Sequence, residues 1–280
     1  MNVPRAPRSA IVTGSANGLG RAIAVRLARD GWRLALADVD DEANGETLAL
    51  VESQGGAGQV EHLDVTDPVA WQRLVDRLRR DWPTLDLLVN NAGVATSGRI
   101  GEHTLDNWRW IIDINLFGAI YGCHHTVNWM KENTRGGNIV NIASIAAVMC
   151  APDMAAYNTT KAGLVALSET LYSELQPANI GVTVVCPGFV QTNILDRARY
   201  RSHAQLEFAA QSMRFSRLSA DQLADRLMRA IERNELYLFL PFSARWNWWS
   251  KRLAPRWYLN AIGRSFRKLF SGDVADQRNE

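Results

Sequence analysis

Short apolar runs alternate with longer amphipathic segments along most of this 280-residue chain, and this alternation limits the fold more than any other feature. The runs end in glycine or polar residues, as strands commonly do. The run "LDLLVNNAG" predicts a continuous apolar strand of the kind that helices cover on both faces. Strands that alternate with helices form a parallel sheet through right-handed crossovers. The sequence therefore predicts an α/β fold with a doubly wound parallel sheet.

The strand pattern occurs in "SAIVTG", "RLALADVD", "GQVEHLDV", "LDLLVNNAG", "GNIVNIAS", "GVTVVCPG" and "LYLFLP". Helices are expected over residues 18–29, 41–53, 105–130, 155–175 and 220–233 and in "PVAWQRLVDRLRRDW". The chain contains no internal repeat and no low-complexity linker. We expect one domain over residues 1–241 and a helical tail over 242–280 that belongs to this domain or forms an interface element.

The loop "TGSANGLG" joins the first predicted strand to the first helix. In such a loop Gly14 allows the tight turn, Gly18 lets the backbone approach a pyrophosphate and Gly20 permits close helix packing. The helix N-terminus adds free N–H groups and a positive dipole end. The predicted phosphate-binding residues are Gly14, Ser15, Asn17, Gly18, Leu19 and Gly20.

Asp38 closes the second strand, where a carboxylate can accept hydrogen bonds from both hydroxyls of an adenosine ribose. Its charge and the acids of "DVDDE" would repel a 2′-phosphate, so we expect NAD rather than NADP. A helix N-cap is the alternative role for Asp38. Asp64 and Val65, expected to end the third strand, are placed to frame the adenine, with capping as an equal alternative for the acid.

Motifs in a fixed order resemble those of the short-chain dehydrogenases/reductases. They are "TGSANGLG", "NNAG" at 90–93, "INLFG" with Asn115, "NIASIAA" with Ser144, "YNTTK" and "PGFVQT" at 187–192. The thirteen-residue step from Ser144 to Tyr157 and the four-residue step to Lys161 are those that the family uses. The resemblance runs from about Ser9 to Pro241 and implies a single-domain, Rossmann-like sheet of about seven strands flanked by helices.

The resemblance implies four catalytic residues. Tyr157 would exchange a proton with the alcohol or carbonyl oxygen. Lys161, one helical turn away, would lower the pKa of this phenol and hold the nicotinamide ribose. Ser144 would orient the substrate oxygen. Asn115 would hold a water that connects Lys161 to bulk solvent, and a helix kink is a second role that it can combine with the first.

Two loops complete the dinucleotide site that the resemblance implies. Asn91, Ala92 and Gly93 would pass beneath the adenosine ribose. Pro187, Gly188, Val190 and Thr192 would bracket the nicotinamide amide and the pyrophosphate. Tight turns are the alternative explanation for both motifs.

The segment "NILDRARYRSHAQLEFAAQSMRF" lies where relatives carry a mobile lid. Its apolar residues, with those of "IAAVMCAPDMAA", predict a roomy hydrophobic pocket, although ordinary packing explains them equally well. We expect an NAD-dependent oxidoreductase that interconverts a secondary alcohol and a ketone on an aromatic, steroid-like or long-chain substrate. The alternatives are a membrane-associated lipid keto-reductase and a dinucleotide-sensing protein without turnover. Retention of Tyr157 and Lys161 argues against the sensor.

The tail departs from the family pattern. Residues 236–272 contain no Asp or Glu and seven Lys or Arg, so the net charge of +2 leaves −5 for the rest of the chain. Phe242, Trp246, Trp249 and Leu253 recur on one predicted helical face, and Leu259, Ile262, Phe266, Leu269 and Phe270 suggest another face. Such helices pack on a subunit, cap an active site or lie peripherally on a membrane, here through residues 242–270. A homodimer or a homotetramer is expected.

Other partner and compartment classes fit the sequence less well. The three cysteines form no CxxC, and no His/Cys cluster has ligand spacing, so we expect no metal and reduced thiols. The first residues lack a signal peptide's apolar run, which favours a cytoplasmic protein, with peripheral membrane association as the option that the tail leaves open. The basic residues accompany tryptophans in no recognised nucleic-acid module, so nucleic-acid binding is not expected.

Overall fold

A seven-stranded parallel sheet forms the centre of the molecule. The computed structural model describes residues 7–192, 194–200, 203–242 and 244–269. Its strands are β1 (Ser9–Thr13), β2 (Arg33–Asp38), β3 (Ala57–His62), β4 (Leu87–Asn90), β5 (Thr96–Ser97), β6 (Gly137–Ile142), β7 (Ile180–Pro187), β8 (Arg199–Tyr200) and β9 (Tyr237–Leu240). The main sheet has the order β3-β2-β1-β4-β6-β7-β9, and β5 pairs with β8 separately. The predicted doubly wound parallel sheet is confirmed.

Helices cover both faces of this sheet. They are α1 (Gly18–Arg29), α2 (Asp41–Ser53), α3 (Pro68–Asp81), α4 (Leu105–Ile112), α5 (Gly118–Lys131), α6 (Ala146–Met149), α7 (Ala155–Leu175), α8 (His203–Arg214), α9 (Ala220–Glu232), α10 (Ala244–Leu253) and α11 (Pro255–Leu269). One apolar cluster joins the sheet to α1 and α9, and another joins it to α3 and α5. Burial on both faces explains why β4 and β7 read as continuous apolar runs.

Two predicted elements end differently from expectation. The helix expected over 105–130 is interrupted by a π-helical turn at Asp113–Phe117. Within this turn the Asn115 amide exchanges hydrogen bonds with the backbone N–H and carbonyl of Val94, at 2.8 and 2.9 Å. Strand β3 ends at His62. The carboxylate of Asp64 then accepts from the N–H and hydroxyl of Thr66, which turns the chain, so the prediction that Asp64 ends the strand was wrong.

The predicted C-terminal helical extension is present as α10 and α11. The Trp248 ring packs on Tyr237 and Phe239 of β9, with centroid distances of 5.0 and 5.5 Å. The buried Tyr258 donates its hydroxyl to Asn247, which joins α11 to α10. Residues 270–280, including Phe270 of the predicted second face, lie outside the described residues. No helix within the described ranges is both long enough and apolar enough to cross a membrane.

The apolar face predicted for α10 points away from the sheet. Phe242, Trp246, Trp249 and Leu253 are 66%, 71%, 52% and 80% exposed. Within the described residues these side chains therefore remain largely exposed, and Trp248 makes the contact with β9 instead.

Replacement of Trp248 by alanine should loosen the tail, because the ring contacts two aromatic side chains of β9. We expect the free energy of unfolding to fall by about 2 kcal/mol, less than for a fully buried tryptophan. Trp246→Ala is the matched control, and its exposed ring should change stability by no more than about 0.5 kcal/mol. Urea denaturation measures both variants. Equal effects would contradict this account of how α10 is anchored.

Candidate active site

A cavity of about 640 Å³ opens where β1, β4, β6 and β7 end. Its wall includes Gly14 after β1, Asn91 after β4, Ser144 after β6 and Gly188 after β7. Ligands of open parallel sheets bind at this carboxyl edge. The other predicted residues on the wall are Asn17, Gly18, Leu19, Ala92, Gly93, Tyr157, Lys161, Pro187, Val190 and Thr192.

The glycine loop has the geometry that its sequence predicts. Gly14 and Gly18 have φ values of 64° and 53°, a left-handed conformation in which glycine is favoured. A Cβ added to Gly20 would lie 2.0 Å from the Gly14 carbonyl oxygen, so a larger residue there would displace the start of α1. The first N–H groups of α1 therefore remain close to the loop, at the edge of the cavity.

Thr13 and Asn91 fix the loop against the end of β4. The Asn91 side-chain amide donates to the carbonyls of Thr13 and Gly14, at 2.9 and 3.0 Å. The Thr13 hydroxyl accepts from the N–H groups of Asn91 and Ala92, both at 3.0 Å. The sequence analysis missed Thr13, although its place directly before Gly14 at a strand end was a usable signal.

Asp38 is tied to the glycine loop. One carboxylate oxygen accepts from the Ala16 N–H at 3.0 Å, and the other accepts from Val39 at 2.8 Å. Asp40, rather than Asp38, caps α2 through a hydrogen bond from the Ala43 N–H. The helix-cap alternative for Asp38 is therefore wrong, and its carboxylate lies between the loop and the end of β2.

Two arginines that the sequence analysis missed lie near this carboxylate. Arg21 donates to the carbonyls of Ala16 and Ala43 and pairs with Glu46 at 3.0 Å, so its guanidinium already has several acceptors. Arg197, from the segment after Thr192, pairs with Asp40 at 3.2 Å. Both arginines are remote from Asp38 in sequence, and only the fold brings them near.

Several predicted cofactor residues do not line the cavity. The Ser15 hydroxyl is fully buried and donates to Asn44 at 2.8 Å, which makes it part of the loop's support. Asp64 is exposed and engaged with Thr66, while Val65 is buried against Trp71, whose indole donates to the Val65 carbonyl. Their predicted contacts with a dinucleotide stay predictions.

Three of the predicted catalytic side chains converge on one wall. Tyr157 and Lys161 lie in the first two turns of α7, and both are buried. The Ser144 side chain lies close enough to the Tyr157 hydroxyl to lower the pKa of the phenol. The Lys161 ammonium donates to the Ile142 carbonyl at 3.0 Å and lies 5.7 Å from the centroid of the Tyr157 ring. Asn115 stands behind this wall, near Gly93, with its amide engaged by Val94.

The pKa of Tyr157 differs from expectation. Burial of the phenol raises its pKa above the ordinary value, and the hydrogen bond from Ser144 offsets part of this effect. The expected lowering by Lys161 is absent in the chain alone, because the ammonium faces the Ile142 carbonyl rather than the phenol oxygen. A phenolate here therefore requires an additional positive charge close to the ring.

Burial acts on Lys161 in the opposite direction. Loss of hydration lowers the pKa of this ammonium to about 8, and the nearby Cys186 thiolate would counteract the shift. Lys161 is thus protonated near neutral pH and loses its charge in mildly alkaline solution. Lys161 therefore carries its positive charge at the near-neutral pH at which dehydrogenases commonly work.

The outer wall of the cavity is apolar and comes from three parts of the chain. Met149 and Met154 precede α7, Phe208 belongs to α8, and Ile262 and Phe266 belong to α11. The remaining apolar lining residues of the lid and tail are Ile194, Leu195, Ala209, Met213 and Leu269. The tail therefore caps the cavity, which was one of the three roles that its sequence left open.

Tyr200 places a second phenol on this wall. Burial raises its pKa to about 12, and the nearby Tyr157 contributes to the shift. Strand β8, which carries Tyr200, is held by β5 and by a hydrogen bond from the Thr96 hydroxyl to the Arg199 carbonyl at 2.8 Å. Tyr200 belongs to the segment whose apolar residues predict a hydrophobic pocket. Its neutral hydroxyl is a hydrogen-bond donor close to Tyr157.

Comparisons with known proteins match this fold. A family model described as short chain dehydrogenase matches residues 8–202. The trans-4-hydroxycyclohexanecarboxylate dehydrogenase of Sinomonas cyclohexanicum is 38% identical over 195 residues, covering 67% of this chain and 74% of that protein. A short chain dehydrogenase/reductase from Burkholderia phymatum, solved in complex with NAD, has a TM-score of 0.83 at 29% identity, covering 89% of this chain and 94% of its own. A short-chain dehydrogenase from Sphingobium yanoikuyae, in complex with NADPH, has a TM-score of 0.73 at 28% identity over 89% and 94%.

Neutral replacement of Lys161 should change how stability depends on pH. Below about 8 the folded and unfolded chains both carry this proton, whereas between about 8 and 10.5 only the unfolded chain keeps it. Wild-type stability should therefore rise with pH through this window, relative to Lys161→Met, by about 2 kcal/mol over about 1.5 pH units. Urea unfolding of both proteins at several pH values measures the difference. Lys161→Gln should give the same slope, and a constant difference would contradict the lowered pKa.

Proposed function

The chain belongs to the short-chain dehydrogenase/reductase family, and we propose that it is an NAD-dependent enzyme that interconverts a secondary alcohol and a ketone on a hydrophobic substrate. One observation carries this proposal. Ser144 and Tyr157 open together into the same cavity as the glycine loop and an apolar outer wall. A proton donor, a dinucleotide cradle and an apolar substrate space therefore meet in one place.

The residues present fit a nicotinamide dinucleotide. The cavity runs from Gly18 at the start of α1 to Tyr157, so one elongated ligand can reach both ends. Lys161 is buried on this wall with three N–H donors, of which the Ile142 carbonyl takes one. The remaining donors suit ribose hydroxyls. Gly14, Gly18 and the first N–H groups of α1 would hold the pyrophosphate, and Lys161 would hold the nicotinamide ribose.

The side chains divide the remaining work between them. The dinucleotide, when bound, supplies the hydride acceptor or donor. Ser144 donates to the substrate oxygen and holds it beside the Tyr157 hydroxyl. In alcohol oxidation Tyr157 takes the proton from this oxygen, and in ketone reduction it returns the proton. Because burial raises the pKa of Tyr157 and Lys161 faces the Ile142 carbonyl, proton transfer near neutral pH would need a further positive charge beside the phenol, which a bound oxidised nicotinamide would supply.

Charge around the adenosine end supports NAD over NADP. Asp38 and Asp40 bring two carboxylates to the end of β2. A 2′-phosphate there would need a free cation, whereas Arg21 is engaged by two carbonyls and Glu46, and Arg197 by Asp40. The ribose hydroxyls would instead meet Asp38. Its Oδ2 accepts from the Ala16 N–H alone and keeps a lone pair for a hydroxyl, whereas its Oδ1 already accepts from the N–H groups of Val39 and Asp40.

The outer wall supports a bulky apolar substrate. Methionine, leucine, isoleucine and phenylalanine side chains provide most of it, and Tyr200 provides a hydroxyl that can donate to a polar substituent. The relative from Sinomonas is named for a hydroxycyclohexanecarboxylate, a cyclic secondary alcohol, which agrees with this class. We infer that cyclic or long-chain secondary alcohols fit best.

Conversion of Tyr157 to phenylalanine should abolish turnover without unfolding the protein. Nicotinamide absorbance is followed with NAD⁺ and a panel of secondary alcohols graded from small to steroid-sized. Wild-type kcat/KM should rise with substrate hydrophobicity and fall by about 10²- to 10⁴-fold in Tyr157→Phe. Tyr172→Phe, on the same helix but packed in the core beneath the sheet, is the matched control and should retain activity. Equal activity in wild type and Tyr157→Phe would exclude the proposed role.

Replacement of Asp38 tests the cofactor preference. Asp38→Ala should weaken NAD binding and raise the NADP/NAD ratio of kcat/KM by about tenfold or more, because it removes the acceptor for the ribose and one negative charge. Asp38→Asn keeps an oxygen for the Ala16 N–H and should shift the ratio in the same direction. Asp106→Asn, an exposed charge on α4 paired with Arg109, serves as the control. An unchanged ratio in both Asp38 variants would refute this assignment.

A further inference from the structure

The outward side of the tail combines exposed aromatic and basic side chains. We define the tail surface as Phe242, Trp246, Trp249, Leu253, Trp257, Arg245, Arg256, Arg264 and Arg267, all of which are exposed. Trp257 is 64% exposed, in line with the α10 residues before it. Three of the four tryptophans within residues 246–257 are exposed, and an exposed apolar patch of this kind commonly marks an interaction surface.

The hairpin of α10 and α11 is held so that this surface stays outside. Trp248 occupies the contact with β9, and Lys251 turns inward to donate to the Cys150 thiol at 3.0 Å. Tyr258 is buried between the two helices and the body. The inner positions are therefore filled by other residues, and the exposed rings have no place to pack within the described chain.

We propose that the tail surface docks on a bilayer that contains anionic lipids. Tryptophan is favoured at the boundary between lipid headgroups and hydrocarbon, and basic helices bind anionic headgroups. Residues 236–272 carry seven positive charges and no acid, while the rest of the chain has a net charge of −5. An anionic surface therefore attracts the tail and repels the remainder, which orients the molecule tail first.

A second copy of the chain suits this surface less well. In a twofold contact the same patch meets itself, so the basic side chains of one tail would face those of the other without intervening acids. Burial of such like charges opposes association. Charge complementarity thus favours the bilayer over a dimer formed through this patch.

Docking would bring the membrane next to the cavity. Ile262, Phe266 and Leu269 line the cavity from α11, while Arg264 and Arg267 of the same helix are exposed. A lipophilic substrate could then pass from the bilayer past α11 to Tyr157. This consequence rests on the proposed function, whereas the docking itself does not.

The test uses the full chain without dinucleotide or substrate. Sedimentation with vesicles of phosphatidylcholine alone is compared with vesicles that also contain phosphatidylglycerol. We expect at least about tenfold stronger binding to the anionic vesicles, weakened by high salt. The triple variant Trp246→Ala/Trp249→Ala/Trp257→Ala should lose at least about tenfold in binding to the anionic vesicles. Arg256→Gln/Arg264→Gln should reduce the preference for phosphatidylglycerol.

Phe215→Ala provides the matched control, because Phe215 is 76% exposed and lies outside the tail. Its vesicle binding should equal that of wild type. Thermal unfolding of each variant verifies that the fold is kept. Absence of vesicle binding by wild type, or equal binding by wild type and the tryptophan variant, would overturn the proposal.

Sedimentation velocity separates the competing occupant. A dimer that the tryptophan substitutions dissociate, in a protein that binds no vesicles, would assign the surface to a second copy and overturn the proposal. Because the readout is binding in the absence of turnover, inactivity toward alcohols would refute the proposed function and leave docking intact. Likewise, turnover of alcohols by a protein that binds no vesicles would overturn docking and leave the proposed function intact.

Discussion

The hydroxyl of Thr13 joins the two strand ends on which the cavity depends. It accepts from two successive N–H groups after β4 and donates to the Val89 carbonyl at 3.3 Å. Buried hydrogen bonds of this kind are directional and costly to leave unmade, so the spacing between the glycine loop and the β4 loop is fixed. The phosphate cradle is thus held by the sheet itself rather than by loop residues alone.

A second buried chain of hydrogen bonds positions α7, the helix that carries Tyr157 and Lys161. The Asn90 amide donates to Asn141, and the Asn141 amide donates to the Ser168 hydroxyl, both at 2.9 Å. These bonds join β4, β6 and α7 inside the molecule, where a shift of the helix along the sheet would leave polar atoms unpaired. By holding α7 in place, these bonds also fix the positions of Tyr157 and Lys161 in the first two turns of the helix.

The sequence was most informative where local pattern and chemistry coincide. Helix 155–175 and its Tyr157–Lys161 spacing could be predicted because the i, i+4 relation follows from helix geometry alone. The turn at Asp64, the pKa direction of Tyr157 and the contacts of Arg21 could not be predicted. Each depends on what lies nearby in three dimensions: a neighbouring hydroxyl, the extent of burial, or carbonyls contributed by another element. Helical periodicity likewise predicted an apolar face on α10, but it could not show which face of the helix packs against the sheet.

Because α11 closes the cavity, the floor and the ceiling of the cavity come from different parts of the chain. The floor of the cavity is built from the sheet and α7, whereas part of its ceiling is supplied by Ile262 and Phe266, about a hundred residues further along the chain. Changes of side-chain size in that ceiling can alter which molecules are admitted while the floor stays intact. Substitutions in α11 can therefore change which substrates the cavity admits, while the residues of the sheet and α7 stay unchanged.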